Sequence, residues 1–310
     1  MARGPVEVEL PVQGAFSLAA STRFLEGFAP AGAFAAGEQR ELALAFPVEG
    51  DWRTAGAVVR EDGGRVVAEV IGAVEPAVVG AQLARILSLD VDGTGFPAVG
   101  ARDPIVGALQ QRYPGLRPVG FWSPYEAAAW AILSQRMRTA QAARVKQRLA
   151  ERHGTVVDVG GRRLAALPAP RVLRGIGEIE GLPARKLPWL HGIADAALAG
   201  TLDAARLRAL EPERALTELR DLPGIGPFGA ELILIRGALH PDVFPAHERS
   251  VHAEVARAYQ LDDPTPEQLE EIADRWRPYR SWVSLLLRTA KPAAGVEPAT
   301  SCLQDKCSAS

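Results

Sequence analysis

From Ser123 onward the chain reads as an almost unbroken series of helices, and the segment Leu222-Pro-Gly-Ile-Gly-Pro-Phe-Gly-Ala230 most tightly limits how they can be joined. Gly224 and Gly226, with one apolar residue between them, permit a tight turn, and Pro227 suits the first position of the helix behind it. A helical run precedes the turn, and Glu231-Leu-Ile-Leu-Ile-Arg-Gly237 continues it. A turn of this kind presents backbone amides at a helix start, where the partial positive charge favours a phosphate. The glycine pattern fits a plain helix-to-helix connection with packing glycines equally well, so both readings stay open at this level.

The helical part begins with a clear signal. Ser123-Pro-Tyr-Glu126 offers a serine cap, a proline at the first helical position and a glutamate three residues after the cap, able to satisfy exposed amides reciprocally. The helix behind it, interrupted or continuous, should run towards His153 and stop near Gly154. Further helices are expected around 170–176, 184–199, 203–209, 212–221, 227–237, 248–259, 266–275 and 279–290. The first third reads differently. Val6–Leu10 alternates, Glu41–Phe46 suits a strand, and Ala55–Arg60 meets Arg65–Val70 across the turn formers Glu61-Asp-Gly-Gly64, which predicts a hairpin. A helix over about Ala77–Leu89 follows, then a loop-like stretch with Gly93, Gly95, Pro97, Gly100 and Pro104, then a connecting segment at Tyr113–Gly120. The division expected is an α+β domain over 1–118, an all-α domain over 119–292, and a disordered tail over 293–310 without apolar period.

At 310 residues, with 47% hydrophobic and 23% charged residues, the composition is that of a globular protein able to bury a sizeable core. No stretch approaches the roughly 18 consecutive apolar residues of a membrane span, and the amino end lacks a secretory pattern. A soluble cytoplasmic protein without membrane association is therefore expected. Cys302 and Cys307 are the two cysteines, which excludes a disulfide framework, a four-thiolate zinc site and a four-cysteine iron–sulfur cluster. The net charge of −2 would argue against a nucleic-acid partner if it were evenly spread. Residues 1–120 carry 10 basic against 14 acidic residues, residues 121–237 carry 17 against 12, and residues 238–310 carry 8 against 11. The positive excess thus falls in the middle, where Arg136, Arg138, Arg144, Lys146, Arg148 and Arg152 lie close together. A solvated helix face explains such a run as readily as a binding surface does.

Four segments, taken in order, resemble the helix-hairpin-helix DNA-repair glycosylases. Leu222–Ala230 looks like their hairpin, and Asp242-Val-Phe-Pro-Ala-His-Glu248 looks like the loop that ends in their catalytic aspartate. Trp276-Arg-Pro-Tyr-Arg-Ser-Trp282 is similar to their late aromatic helix, and Ser123–Gln135 to their Ile-Leu-Gly-Gln segment. Leu89-Asp-Val-Asp-Gly93 and Pro114-Gly-Leu-Arg117 resemble the additional α+β domain of the bacterial DNA-3-methyladenine glycosylase II branch. The resemblance covers about 290 residues and is strongest over 114–290. It implies an α+β amino-terminal domain followed by an all-α helix-hairpin-helix glycosylase domain.

An enzyme that cuts the glycosidic bond of a duplex base must flip the nucleotide into a pocket. The resemblance assigns Leu222, Gly224, Ile225, Gly226 and Gly229 to the DNA-backbone hairpin, and Gln135 with Arg136 to the wedge or a DNA contact. Phe228, Tyr279 and Trp282 are the expected base pocket, since an aromatic face binds a cationic alkylated purine better than the neutral parent base. Bifunctional members carry a lysine at the position of Phe228, so this chain should lack strand-cleaving lyase action and use water as its nucleophile. The carboxylate that stabilises the sugar cation falls on Glu248, where the family uses aspartate. That departure leaves an alternative open, a catalytically impaired lesion-recognition or DNA-binding protein on the same scaffold. Core packing for the aromatics and a simple helix-start acid for Glu248 are the competing structural readings.

His240, His247 and His252 with Asp242 lack a recognised ligand spacing, so no metal is expected. No cofactor is expected either, although the carbonyls of such a hairpin are suited to a monovalent cation. The expected partner is double-stranded DNA containing damaged bases, bound by a monomer associated with the nucleoid. Its DNA-facing surface should be small, with a modest dependence of affinity on salt.

Overall fold

The computed structural model describes residues 4–26, 34–36 and 41–290. The expected tail, with Cys302 and Cys307, lies outside these residues. Five antiparallel strands form the amino-terminal sheet: β1 (Val6–Leu10), β2 (Phe34–Ala36), β3 (Glu41–Pro47), β4 (Thr54–Asp62) and β5 (Arg65–Ile71), in the order β1-β5-β4-β3-β2. The predicted β4–β5 hairpin is present and turns on Gly63 and Gly64, both with positive φ (54° and 82°). A two-residue loop of that geometry matches the twist of the flanking strands.

Two helices cover one face of the sheet. α1 (Leu18–Glu26), which no local pattern announced, packs on β3, and α2 (Pro76–Ile86) packs on β1 and β5. The stretch 93–104, read as loop-like, instead carries α3 (Phe96–Arg102), with α4 (Pro104–Arg112) directly behind it. Its glycines serve close packing: a β-carbon on Gly100 would stand 2.8 Å from the α-carbon of Gly107. The signal that suggested a loop is thus the means by which two short helices touch.

α5 (Pro124–Ser134) is the centre of the molecule. All of its residues from Pro124 to Leu133 are buried, which explains a sequence with no polar face. Ser123 caps it by accepting the Glu126 amide at 3.1 Å. The Glu126 side chain, expected to complete the cap, turns instead to Lys146 of α6 (Thr139–His153), 2.6 Å away in the core. The region read as almost wholly helical also contains a small hairpin, β6 (Val156–Val159) and β7 (Arg162–Ala165). It covers the second face of the sheet, with Val159, Leu164 and Ala166 against Ala43, Ala45 and Val58. Gly56 permits that approach, since a β-carbon there would lie 2.6 Å from Val159.

The remaining helices are α7 (Pro170–Leu173), α8 (Leu187–Leu198) preceded by a 3₁₀ turn (Ala184–Lys186), α9 (Ala204–Ala209), α10 (Pro212–Arg220), α11 (Pro227–Glu231), α12 (Arg249–Tyr259), α13 (Pro266–Asp274) and α14 (Arg280–Thr289). α11 widens into a π-helical stretch over Leu232–Gly237 that lies against α5. One continuous core joins the sheet, α2, α5, α8 and the π-helical stretch. A second core joins α3 and α4, which precede residue 118, to α12, α13 and α14. Asp103 ties that second core together. One carboxylate oxygen accepts the amides of Ile105 and Val106, and the other accepts the Tyr259 hydroxyl at 2.5 Å and the Trp276 indole at 3.2 Å.

Candidate DNA-binding and base-excision site

α10 and α11 form a helical hairpin whose turn is built as the two-glycine pattern requires. Gly224 has φ of 78°, and a β-carbon there would meet the Trp189 ring at 2.7 Å. Gly226 precedes Pro227 at the cap of α11 and faces open space. Ile225 is buried and anchors the turn, Gly229 packs on Ile225 and Ala131, and Leu222 is half-buried. The surface of the turn is made by Gly226, Pro227 and Phe228, and Phe228 is 49% exposed. The first amides of a helix have no partner within it, so this surface can receive an anion.

The α5–α6 junction stands beside the hairpin. The Gln135 side-chain amide donates to the carbonyl of Gly224, so the structure brings the expected wedge segment and the hairpin together. Arg136 is exposed and adopts φ of 52°, a left-handed conformation that costs a non-glycine residue about 1–2 kcal/mol. Lys186, which the sequence did not single out, holds this junction from below. Its ammonium is buried and donates to the carbonyls of Leu133 at 3.0 Å and Gln135 at 2.7 Å, and burial followed by the nearby Arg185 pushes its pKa down. Of the basic run over the α5–α6 junction and α6, Arg136, Arg138, Arg144 and Arg152 are exposed, whereas Lys146 belongs to the core and Arg148 and Arg152 face Glu180.

The loop from His240 to Glu248 is fastened at several points. Asp242 accepts the Arg280 Nε at 2.9 Å and Arg277 at 3.2 Å, so it is committed to holding the loop on α14. Ser281 exchanges hydrogen bonds with both backbone groups of Val243. The Arg-Ser of the late aromatic motif thus serves the loop. Each histidine has its own partner: His240 Nδ1 accepts the Asp242 amide, His247 meets Glu231, and His252 meets the carbonyl of Pro245. Burial first, then the positive Arg208, lowers the His240 pKa to about 4, so it is neutral at physiological pH. Among the described residues no group of three or more His, Cys, Asp or Glu side chains is placed to hold a metal ion.

Glu248 caps α12 without using its side chain. One of its oxygens accepts the Ser250 hydroxyl at 3.0 Å and a guanidinium N–H of Arg288 from α14. Arg236, in the π-helical stretch, lies close enough for its charge to feel both Glu248 and Arg288, and its guanidinium stacks over Phe24 at 5.1 Å. Burial pushes Arg236 down to about 9. Arg288, in contact with Glu248, and Arg236, whose charge feels it, thus lie on the Glu248 side, and neither stood out in the sequence.

The expected base pocket is corrected by this arrangement. Tyr279 and Trp282 are buried in the second core, edge-on to Phe96 at ring distances of 5.3 and 5.1 Å. The Tyr279 hydroxyl donates to the Asp92 carbonyl, and Arg117 stacks on Trp282. Both are built into the second core, Trp282 with Phe96 and Arg117 lining a cavity of about 430 Å³, and the structure does not bring them together with the exposed Phe228. Aromatics a helical turn apart share a face, and here that face meets α3.

A family model described as the HhH-GPD superfamily of base excision DNA repair proteins matches residues 129–278, a span that runs from α5 through the hairpin and the loop to the late aromatic motif. Residues 129–278, just under half of the chain, thus match the helix-hairpin-helix superfamily of base-excision DNA repair proteins. The chain is similar to the DNA-3-methyladenine glycosylase of Bacillus subtilis, 26% identical over 205 residues that cover 64% of this chain and 67% of that protein. The DNA-3-methyladenine glycosylase 2 of Escherichia coli is 31% identical over 188 residues, 58% of this chain and 62% of that one. The match thus spans about two thirds of these relatives' lengths. Among solved structures, a 3-methyladenine DNA-glycosylase from Archaeoglobus fulgidus superposes with a TM-score of 0.74 at 22% identity, covering 92% of this chain and 97% of its own. The fold of the helix-hairpin-helix protein described here, amino-terminal sheet included, is therefore shared over nearly its whole length. Among the described residues no helix is long and apolar enough to cross a membrane.

Proposed function

We propose that this helix-hairpin-helix protein is a monofunctional DNA glycosylase that excises alkylated bases of the 3-methyladenine type in base-excision repair. It would act as a monomer on duplex DNA in the cytoplasm. The observation that carries the reading is the position of Glu248. The residue before it is bonded to Glu231 at the end of α11, so the carboxylate stands one short loop from the phosphate-binding turn. The names borne by the relatives favour alkylated bases as the substrate class.

In this reading the amides around Gly226 hold a backbone phosphate, and the Gln135–Arg136 tip fills the space a flipped nucleotide leaves. As the base departs, positive charge grows on the sugar, and the Glu248 carboxylate stabilises it while water attacks. Phe228 offers no amine for a Schiff base, which leaves hydrolysis as the route and the abasic strand intact. The hairpin carbonyls could accept a monovalent cation alongside the phosphate, with the Gly224 oxygen already engaged by Gln135. The test is incubation of the purified chain with methylated, deaminated and oxidised duplexes, with free bases and strand breaks measured separately. Release of methylated purines without strand cleavage is expected. Tight lesion binding with no release from any duplex would favour the lesion-recognition alternative, and strand cleavage would refute the monofunctional route.

A further inference from the structure

We propose that Glu231 is a positioning residue for Glu248, an inference that rests on reading Glu248 as the reacting carboxylate. Glu231 is the last residue of α11, and its side chain is 5% exposed. One oxygen accepts the backbone N–H of His247 at 2.9 Å, and the other meets the His247 ring Nδ1 at 2.6 Å. Both oxygens therefore act on the residue that directly precedes Glu248. The amide of Glu248 in turn donates to the Pro245 carbonyl at 3.3 Å, and its own carbonyl accepts Val251 of α12 at 2.9 Å. The peptide that aims Glu248 is thus held downstream by α12 and upstream by the second helix of the hairpin.

A buried carboxylate is a poor choice for stability alone, because a well-packed apolar residue commonly does as well or better. The two-point grip on His247 gives this one a geometric task. It fixes the distance between the phosphate-binding turn, which begins α11, and the carboxylate, which begins α12. Displacement of a reacting group by about 1 Å can cost on the order of 100-fold in rate. Position matters more here than in a chain with aspartate, because glutamate adds a rotatable bond between backbone and carboxylate.

The experiment compares Glu231→Ala, Glu231→Gln and His247→Ala with wild type. Three readouts are taken: single-turnover base release, affinity for an abasic-analogue duplex, and amide hydrogen exchange over residues 245–250. Glu231→Ala should slow base release by about 30- to 100-fold while changing affinity by less than about threefold. Glu231→Gln keeps an acceptor for the His247 amide and should recover most of the rate. His247→Ala, which loses only the ring contact, should fall by less than about threefold. Exchange over 245–250 should rise about tenfold or more in Glu231→Ala, with the 222–230 turn unchanged. Parallel loss of rate and affinity, or Glu231→Ala within twofold of wild type, would overturn the assignment. Should wild type release no base, the reading of Glu248 fails separately, and unchanged exchange over 245–250 would then overturn the positioning role by itself.

Discussion

The guanidinium of Arg288 lies on the carboxylate of Glu248, forty residues earlier in the chain. A cation in contact with the carboxylate competes with the sugar cation that the reaction generates, and it also opposes entry of a positively charged base. Arg288 is 43% exposed, so solvent screens much of this effect and about 1 kcal/mol is a fair ceiling. Arg288→Gln should therefore raise the single-turnover rate on methylated duplex by up to about fivefold. A rate that falls on this substitution, measured under saturating protein, would instead make Arg288 a contributor to base or sugar recognition.

The two hairpin glycines should separate stability from binding. Gly224→Ala places a β-carbon against Trp189 at a positive φ, and should cost about 2–4 kcal/mol of stability from strain and overpacking together. Gly226→Ala meets nothing within 4 Å and should leave the unfolding midpoint nearly unchanged while weakening DNA binding severalfold. Chemical denaturation and fluorescence anisotropy on an abasic-analogue duplex check the contrast. Equal stability losses in the two variants would contradict it.

Lys146 belongs by sequence to a basic run, yet it is the counter-charge of a buried acid. Burial raises the Glu126 pKa, and Lys146 is the main influence lowering it. Lys146→Met strands Glu126 in the core and should destabilise the protein by about 3–5 kcal/mol, and the double change with Glu126→Gln should recover most of that loss. Denaturant titrations of the single and double variants read the difference directly.

His240 should make stability depend on pH. Its folded pKa is about 4 against an ordinary 6.5, so the unfolded chain binds the proton more readily. The contribution is complete above pH 6.5 and is lost as pH falls towards 4, up to about 3 kcal/mol at 1.36 kcal/mol per unit. Urea midpoints at pH 7.5, 5.5 and 4.5 should fall less steeply for His240→Asn than for wild type. Identical slopes would remove His240 from the account of acid sensitivity.

What was readable in the sequence was local. The Ser123 cap, the β4–β5 turn and the two-glycine hairpin are each decided by residues a few positions apart, and all three are present. The partners of the candidate site residues are decided by distant residues. Lys186 reaches Gln135 across 51 positions, Arg288 reaches Glu248 across 40, and Glu231 reaches His247 across 16. A charge gives no sign in sequence of which distant group it will face. Tyr279 and Trp282 show the same limit for aromatics, since helical spacing says that two rings share a face but not whether that face meets solvent, DNA or α3. Gly100 and Gly107 mark a further one, because the residue that breaks helices also lets them touch.

The central claim is that Glu248 supports excision of alkylated bases by water attack, and single-turnover release of methylated purine by wild type and Glu248→Gln tests it most directly. Wild type should release the base, and Glu248→Gln should be slower by about 100-fold or more while still binding an abasic-analogue duplex, because loss of the carboxylate charge removes an electrostatic stabilisation usually worth that much. Release that is undiminished in Glu248→Gln, or absent from wild type at saturating protein, would contradict it.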